Sequence, residues 1–155
     1  MSASRRDFLR AGGGAALLAT LGNAGMLPAS AATADWNSPA FAARTMAEAL
    51  QALGATAAES SGDIVIGAPD SAENGAVVPV SATSAIRRTQ AIAILTEHNP
   101  NVLSAYFRLA DGTEPYVATR VKMAQTSSVT VLVCAGDRFY FASREIGVAL
   151  GGCGG

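Results

Sequence analysis

Short runs of apolar, often β-branched residues alternate with turn signals along the chain from residue 60 onward. Within several runs apolar and polar positions alternate, as in strands that bury one face. Pairs such as Asn74-Gly75 and Asp111-Gly112 separate the runs and are typical of turns. The pattern predicts seven or eight strands, over residues 64–66, 76–82, 91–96, 102–109, 116–123, 129–134, 138–143 and 145–150. Strands of this length and spacing predict an all-β fold, an immunoglobulin-like β-sandwich.

One helix is predicted ahead of the strands. Apolar residues recur at helical spacing over residues 39–53. Ser38 is expected to cap this helix, with Pro39 in its first turn and Gly54 just after its end. Pro79 falls inside a predicted strand, and because proline has no N–H to donate, we expect an edge or a bulge there. The predicted domain, residues 32–150, is therefore a sandwich with an N-terminal helix.

The first 31 residues have the composition of an export signal rather than of a folded element. Arg5 and Arg6 precede an apolar, glycine-rich stretch at 11–27, and small residues follow up to Ala31. This order predicts a signal over residues 1–31, and the paired arginines indicate the twin-arginine route to the periplasm. The alternative is a membrane anchor, but 17 residues containing five glycines are short and weakly apolar for a span.

Charge narrows the possible partners. The full chain has a formal net charge of -1, and removal of residues 1–31 leaves 8 basic and 11 acidic side chains. A mildly acidic domain lacks the basic patch that nucleic acid requires, so no nucleic-acid partner is expected. Nothing after residue 31 is long and apolar enough to span a bilayer, so no membrane partner is expected either.

The last five residues, 151–155, have a sequence unlike that of any other segment. They are Gly151, Gly152, Cys153, Gly154 and Gly155. Because glycine gives the backbone its greatest conformational freedom, this segment is predicted to be a flexible arm. Without Cβ atoms the arm is slim enough to enter a narrow channel, and a thiol forms bonds to sulfur that can be made and broken. The tail therefore predicts a carrier that holds sulfur-bound cargo on its cysteine.

Three other functions stay open on the residues alone. An exported binding module could contain a structural disulfide between Cys134 and Cys153, which a count of free thiols would reveal. A thiol oxidoreductase could use Cys153 directly, although no C-x-x-C pair is present and an outside thiol would be needed. A ubiquitin-like carrier activated at Gly155 would need the terminal carboxylate instead, and its fold suits this strand-rich pattern poorly.

No other group of residues predicts a site. His98 is the only histidine and both cysteines are distant in sequence, so neither a metal nor another cofactor is expected. We expect His98 in a surface turn. Arg87 and Arg88 are typical of a solvated loop.

GGCGG is accompanied by three internal segments, AENGAVVPV (72–80), EHNPNVLSAYF (97–107) and TRVKMAQTSSV (119–129). With the twin-arginine leader and the early helix, these segments make the chain resemble the SoxY family, the sulfur-carrier subunits of periplasmic thiosulfate oxidation (the Sox system). The resemblance covers essentially the whole chain after residue 31.

The resemblance implies a sandwich fold and an obligate second subunit, SoxZ, in a heterodimer. It also implies that Cys153 holds thiosulfate as a cysteine S-thiosulfonate, attached oxidatively by a haem c-type enzyme. A metal-dependent hydrolase would then release sulfate, and a sulfur dehydrogenase would oxidise the remaining sulfane sulfur. Docking to these enzymes would be transient, and the carrier would catalyse none of the steps.

Overall fold

A computed structural model describes residues 37–149 of the chain. They form two helices, α1 Ser38–Ala42 and α2 Met46–Ala52, neither of which is long and apolar enough to cross a membrane. The strands are β1 Glu59–Ser60, β2 Ile64–Gly67, β3 Ser71–Ala72, β4 Val78–Ser84, β5 Thr89–Thr96, β6 Leu103–Arg108, β7 Tyr116–Val121, β8 Ser127–Ala135 and β9 Arg138–Val148. The predicted export signal, 1–31, and the predicted arm, 151–155, lie outside the described residues.

Two short helices replace the single helix predicted over residues 39–53. The helix breaks because Thr45 is extended (φ -125°, ψ 153°) and starts a new helix with a capping box. Its hydroxyl accepts from the Glu48 amide, while the Glu48 carboxylate accepts from the amides of Arg44 and Thr45 at 2.9 and 3.2 Å. These backbone donors lower the pKa of Glu48. Gly54 follows the second helix with φ +73°, as predicted.

The first helix is capped one residue earlier than the sequence predicts. Asn37, not Ser38, is the N-cap, because its side-chain oxygen accepts from the Ala40 amide at 3.1 Å. The same side chain donates to the carbonyl of Ala52 at 2.9 Å. An amide side chain carries both an acceptor and a donor, so Asn37 ties the start of α1 to the end of α2.

The strands form two sheets, which confirms the prediction of an all-β sandwich. The large sheet has the order β1-β9-β8-β5-β6, with β3 also paired to β9, and the small sheet has the order β2-β4-β7. β9 is one continuous strand where the pattern predicts two, because β8 pairs with it from Arg138 to Ile146 without a break. Neither β1 nor β3 is predicted, since a strand of two residues has no alternation to recognise; both pair in parallel with β9.

Side chains that alternate along the strands fill the space between the two sheets. Val78, Val80 and Ala82 of β4 are at most 2% exposed. They share one apolar cluster with large-sheet residues that include Ile92, Ile94, Val129, Val131, Val133 and Ile146. Burying a side chain of this size contributes about 1.5–3 kcal/mol, so this cluster is a main source of the domain's stability.

The helices cover the other face of the large sheet. Ala40, Ala43 and Ala49 lie in a second cluster with Ala93, Leu95, Leu103 and Leu132 of the sheet. Small alanine side chains allow the helices to approach the strands closely. Because β5 and β8 are covered on both faces, their apolar residues are continuous rather than alternating.

Pro79 lies in the central strand of the small sheet, but at a position where only one neighbour pairs with it. β7 places Arg120 opposite Pro79, whereas β2 pairs only with β4 residues 81–84. The proline therefore occupies a local edge, as the sequence predicts, and its missing N–H leaves no ladder hydrogen bond unmade.

Candidate functional site at the root of the arm

The residues predicted to carry the chemistry all lie outside the described part of the chain: Cys153, Gly151, Gly152, Gly154 and Gly155. The structure describes the chain as far as Ala149, four residues before the cysteine. We call residues 146–149 the arm root. Their contacts determine where the predicted arm begins.

β9 enters the arm root as a paired and buried strand. β8 pairs with it as far as Ile146, which is 0% exposed. Beyond that point β3 runs parallel to β9, with Ser71 opposite Gly147 and Ala72 opposite Val148. Pairing therefore continues to the last residue of the strand.

Every backbone amide from Gly147 to Ala149 has a hydrogen-bond partner. Gly147 and Ala149 donate to carbonyls on the β3 side, at 2.9 and 3.0 Å. Val148, between them, donates to the side-chain hydroxyl of Thr126 at 2.9 Å. Successive amides of a strand point to opposite edges, so the arm root is held from both sides.

Gly75 packs against the same segment without a side chain. A Cβ at this position would overlap the carbonyl oxygen of Met123 and would lie 2.9 Å from Cγ1 of Val148. The two loops are also joined directly, because the Met123 amide donates to the Gly75 carbonyl at 2.7 Å. The turn predicted at Asn74-Gly75 is present, with the Asn74 side chain accepting from the Ala76 amide at 2.9 Å. Close backbone approach, rather than a positive φ, requires glycine here.

A third loop supports Thr126. The ring nitrogen Nδ1 of His98 lies 3.0 Å from the Thr126 carbonyl oxygen, and the His98 amide donates to the hydroxyl of Ser127 at 3.0 Å. The Asn99 side chain donates to the carbonyl of Lys122 at 2.6 Å. The loops around residues 75, 98 and 124 therefore form one hydrogen-bonded group at this end of the sandwich.

One ion pair lies beside the arm root. Arg144 contacts the carboxylate of Asp70 at 2.6 Å and also donates to the carbonyl of Ile66 at 3.3 Å. The carbonyl of Asp70 is the one that accepts from the Gly147 amide. Arg144 thus contacts the residue to whose carbonyl the start of the arm root is bonded.

Cys134 lies in β8, beside the other end of β9. It pairs with Phe139 and is partly buried, with its sulfur 3.6 Å from the Gly136 carbonyl oxygen. Burial raises the pKa of this thiol, and the nearby Asp137 raises it further. The neutral thiol is favoured here, which makes the side chain a poor nucleophile.

An intact β9 keeps the two cysteines apart. From Phe139 to Ala149 the strand rises about 33 Å, at about 3.3 Å per residue. Cys153 follows Ala149 by four residues and so reaches back by at most about 14 Å. A disulfide needs its Cα atoms within about 7 Å. The geometry therefore argues against a structural Cys134–Cys153 bridge.

His98 and the Arg87-Arg88 pair, also considered from the sequence, do not form a separate site. His98 is exposed in the turn after β5, where its ring contacts backbone. Arg87 and Arg88 form the turn between β4 and β5, with Arg88 at φ +62°, near the Arg138 end of the sandwich. Within residues 37–149, no group of three or more His, Cys, Asp or Glu side chains could hold a metal ion.

Comparison with protein families decides the assignment. The model of the family described as sulfur oxidation protein SoxY matches residues 49–153, so the matched region ends at the predicted cargo cysteine. The chain belongs to the SoxY family. The sulfur carrier protein SoxY from Chlorobium limicola f thiosulfatophilum has a similar solved structure, with a TM-score of 0.59 and 36% sequence identity. The match covers 65% of this chain and 92% of that one. No curated protein gave a significant match.

The SoxY assignment gives the arm root added meaning. Gly75, His98 and Thr126 come from the three internal segments, 72–80, 97–107 and 119–129, in which the SoxY resemblance is found. The structure brings these segments together around Val148. Sequence reasoning found the segments and the turn at Gly75, but it did not identify Thr126 or β3. Those contacts join residues more than 20 positions apart and leave no local pattern.

Proposed function

We propose that this SoxY family member is a periplasmic carrier that binds thiosulfate-derived sulfur covalently on Cys153 and presents it to separate enzymes. Membership of the family supports a carrier role in sulfur oxidation. The identity of the attachment residue, the cargo, the export route and the enzymes are part of the proposal. The carrier itself catalyses no step.

The observation that carries the proposal is the contrast between a fixed arm root and the glycine-flanked cysteine that follows it. All three amides of residues 147–149 are hydrogen-bonded. Four glycines then surround Cys153. A thiol placed after a rigid strand on a slim chain can enter an enzyme's channel while the domain stays outside. Covalent attachment also keeps reactive intermediates at high effective concentration.

The proposed cycle has four chemical stages. First, a haem c-type enzyme removes two electrons as the Cys153 thiol and thiosulfate join, giving R–S–S–SO₃⁻ and one proton. Second, a metal-dependent hydrolase adds water to the terminal sulfone, giving sulfate, two protons and the persulfide R–S–S⁻. Third, a sulfur dehydrogenase removes six electrons from the remaining sulfane sulfur as three waters supply its oxygens, giving R–S–SO₃⁻ and six protons. Fourth, hydrolysis of this group releases a second sulfate and two protons and regenerates the Cys153 thiolate. Every step uses the partner enzyme's catalytic groups.

We further propose that the protein works as a heterodimer with a SoxZ subunit. The outer face of the small sheet favours binding of a partner, because two large hydrophobic side chains are exposed on it. Val65 and Tyr116 lie on either side of Thr83, across the three strands, and are 63% and 51% exposed. Sedimentation of the purified chain with and without SoxZ tests this point. A 1:1 complex is expected, and two separate species at micromolar concentration would contradict it.

Mass spectrometry of the protein isolated from thiosulfate-grown cells tests the covalent proposal. The C-terminal peptide should carry added sulfur-containing mass that a reductant removes. The same added mass on the peptide with Cys134, and none on the C-terminal peptide, would contradict the proposal.

A further inference from the structure

The arm root is held by one contact that ordinary strand pairing would not provide. The β8–β9 ladder ends at Ser127 opposite Ile146. If that antiparallel register continued, Val148 would lie opposite Gln125 and would donate to its carbonyl. The chain instead bends before β8, and the Thr126 hydroxyl accepts the Val148 amide at 2.9 Å. The Thr126 side chain thus extends the hydrogen bonding of β9 on this edge by two residues, from Ile146 to Val148.

Gly75 packs against the side chain of the same residue. Its missing Cβ leaves room for Cγ1 of Val148 and for the carbonyl oxygen of Met123. Because Met123 is bonded back to Gly75 at 2.7 Å, neither loop can withdraw freely. Thr126 bonds to the backbone of Val148, and Gly75 packs closely against its side chain.

We propose that Thr126 and Gly75 are positioning residues, a root clamp that sets the place from which the arm presents Cys153 to the partner enzymes. This inference rests on the proposed carrier function and adds to it the residues that set the position and direction of the thiol. Neither residue touches the cargo. Both act through Val148, five residues before the cysteine.

Loosening the arm root lengthens the tether between the sheet and Cys153. Cys153 follows Ala149 by four positions. Without the Thr126 bond, only β3 holds residues 147–149, through the amides of Gly147 and Ala149. We expect this one-sided pairing to open as well, so that the tether starts at Ile146, seven positions before Cys153. The effective concentration of a tethered group falls roughly as the −3/2 power of tether length. We therefore expect about a twofold loss in the efficiency of cargo transfer, or more where the direction of the arm also matters.

Thr126→Val is the main test, because valine keeps the shape of threonine and removes the hydroxyl. Thr126→Ser is the matched control, because it keeps the hydroxyl. The carrier, in complex with its partner subunit, is assayed for kcat/KM with the thiosulfate-conjugating enzyme. Hydrogen exchange at the Val148 amide and the rate of reaction of Cys153 with a small thiol reagent are measured on the same samples.

The valine variant should exchange faster at Val148 and transfer cargo about twofold less efficiently, while its small-reagent rate stays at the wild-type value. The serine variant should resemble wild type in all three measurements. Gly75→Ala should act in the same direction as the valine variant. Thr126 is exposed, so its variants test the clamp even if Gly75→Ala fails to fold.

Two results would overturn the clamp. Faster exchange at Val148 with unchanged transfer would mean that Thr126 only stabilises the strand. An equal loss in transfer and in small-reagent rate would mean that the change alters the thiol's surroundings rather than its placement. Either result leaves the carrier function intact, since that function stands or falls with Cys153 and not with Thr126.

Discussion

The two ends of β9 lie close in sequence to the two cysteines and differ in what they do with them. At the Arg138 end, Cys134 is part of the β8–β9 ladder, and burial raises the pKa of its thiol. At the Val148 end, the ladder is extended by β3 and Thr126 until the strand stops, and Cys153 follows four residues after Ala149. One cysteine is part of the sheet, and the other lies four positions beyond the last described residue.

This difference teaches that a cysteine's role depends on whether it lies within a paired strand or beyond the end of one. Within a ladder, a thiol has fixed neighbours and behaves as a small apolar side chain. Past a fixed strand end, it can meet groups on another molecule. The length of the same continuous strand argues against a bridge between the two cysteines, and the proposed carrier function requires that Cys153 be free of such a bridge. The following predictions test this contrast from the largest expected effect to the smallest.

Replacing each cysteine by serine in turn should give opposite results. Cys153→Ser should abolish thiosulfate-dependent electron transfer in a reconstituted Sox assay, because serine cannot form a bond to sulfur under these conditions. Cys134→Ser is the control and should retain most of the activity. Circular dichroism checks that both variants are folded. Full activity of the Cys153 variant would remove the basis of the carrier proposal.

Truncating the side chain that anchors the arm root should destabilise the whole domain. Ile146 is 0% exposed and belongs to the cluster between the sheets. Ile146→Ala is expected to lower the free energy of unfolding by about 2–5 kcal/mol in urea denaturation. Val65→Ala, at a side chain that is 63% exposed, is the control and should change it little. Similar losses for both variants would contradict the burial of the arm root.

The pH dependence of stability should reveal the environment of Cys134. Because its pKa is raised in the folded state, the unfolded chain loses this proton first as pH rises. The stabilisation is complete below the ordinary thiol pKa and is lost as pH rises through the folded value. In a Cys153→Ser background, the free energy of unfolding should therefore fall more steeply above about pH 9.0 than when Cys134 is also serine. Parallel curves would show that the thiol's pKa is unshifted.

The smallest effect is expected at the surface ion pair near Cys134. Arg138 and Glu59 are 2.7 Å apart, with side chains 63% and 60% exposed. Exposed pairs gain little because water screens the charges. Glu59→Gln should leave the melting temperature unchanged within error, at low and at high salt. A clear drop at low salt alone would show that this end of β9 depends on charge.

The sequence predicts the parts of this fold that have a period or a turn signal. The Asn74-Gly75 turn is found where the pattern places it, and the alternation in β4 is present, although the strand covers Val78–Ser84 rather than residues 76–82. The break between the helices also had a local signal, since Thr45 and Glu48 have capping-box spacing, although the apolar spacing alone indicates one helix.

There is a physical reason why only part of the candidate site could be predicted. Cys153 and its glycines are recognisable because composition alone distinguishes them. The residues that hold the arm root are brought together by tertiary contacts, such as the bond from Val148 to Thr126 across 22 positions. A threonine hydroxyl that accepts one amide has no sequence signature, and neither does a two-residue strand.

On the proposed carrier function, the short chain between Ala149 and Cys153 also limits how many enzymes can act at once. Any catalyst that acts on Cys153 would have to bring its reactive centre within about 14 Å of Ala149. That radius is small compared with a folded enzyme, so two catalysts could not occupy it together. Each would have to leave before the next arrives, and the order of the steps would then be set by which form of the cargo each one recognises.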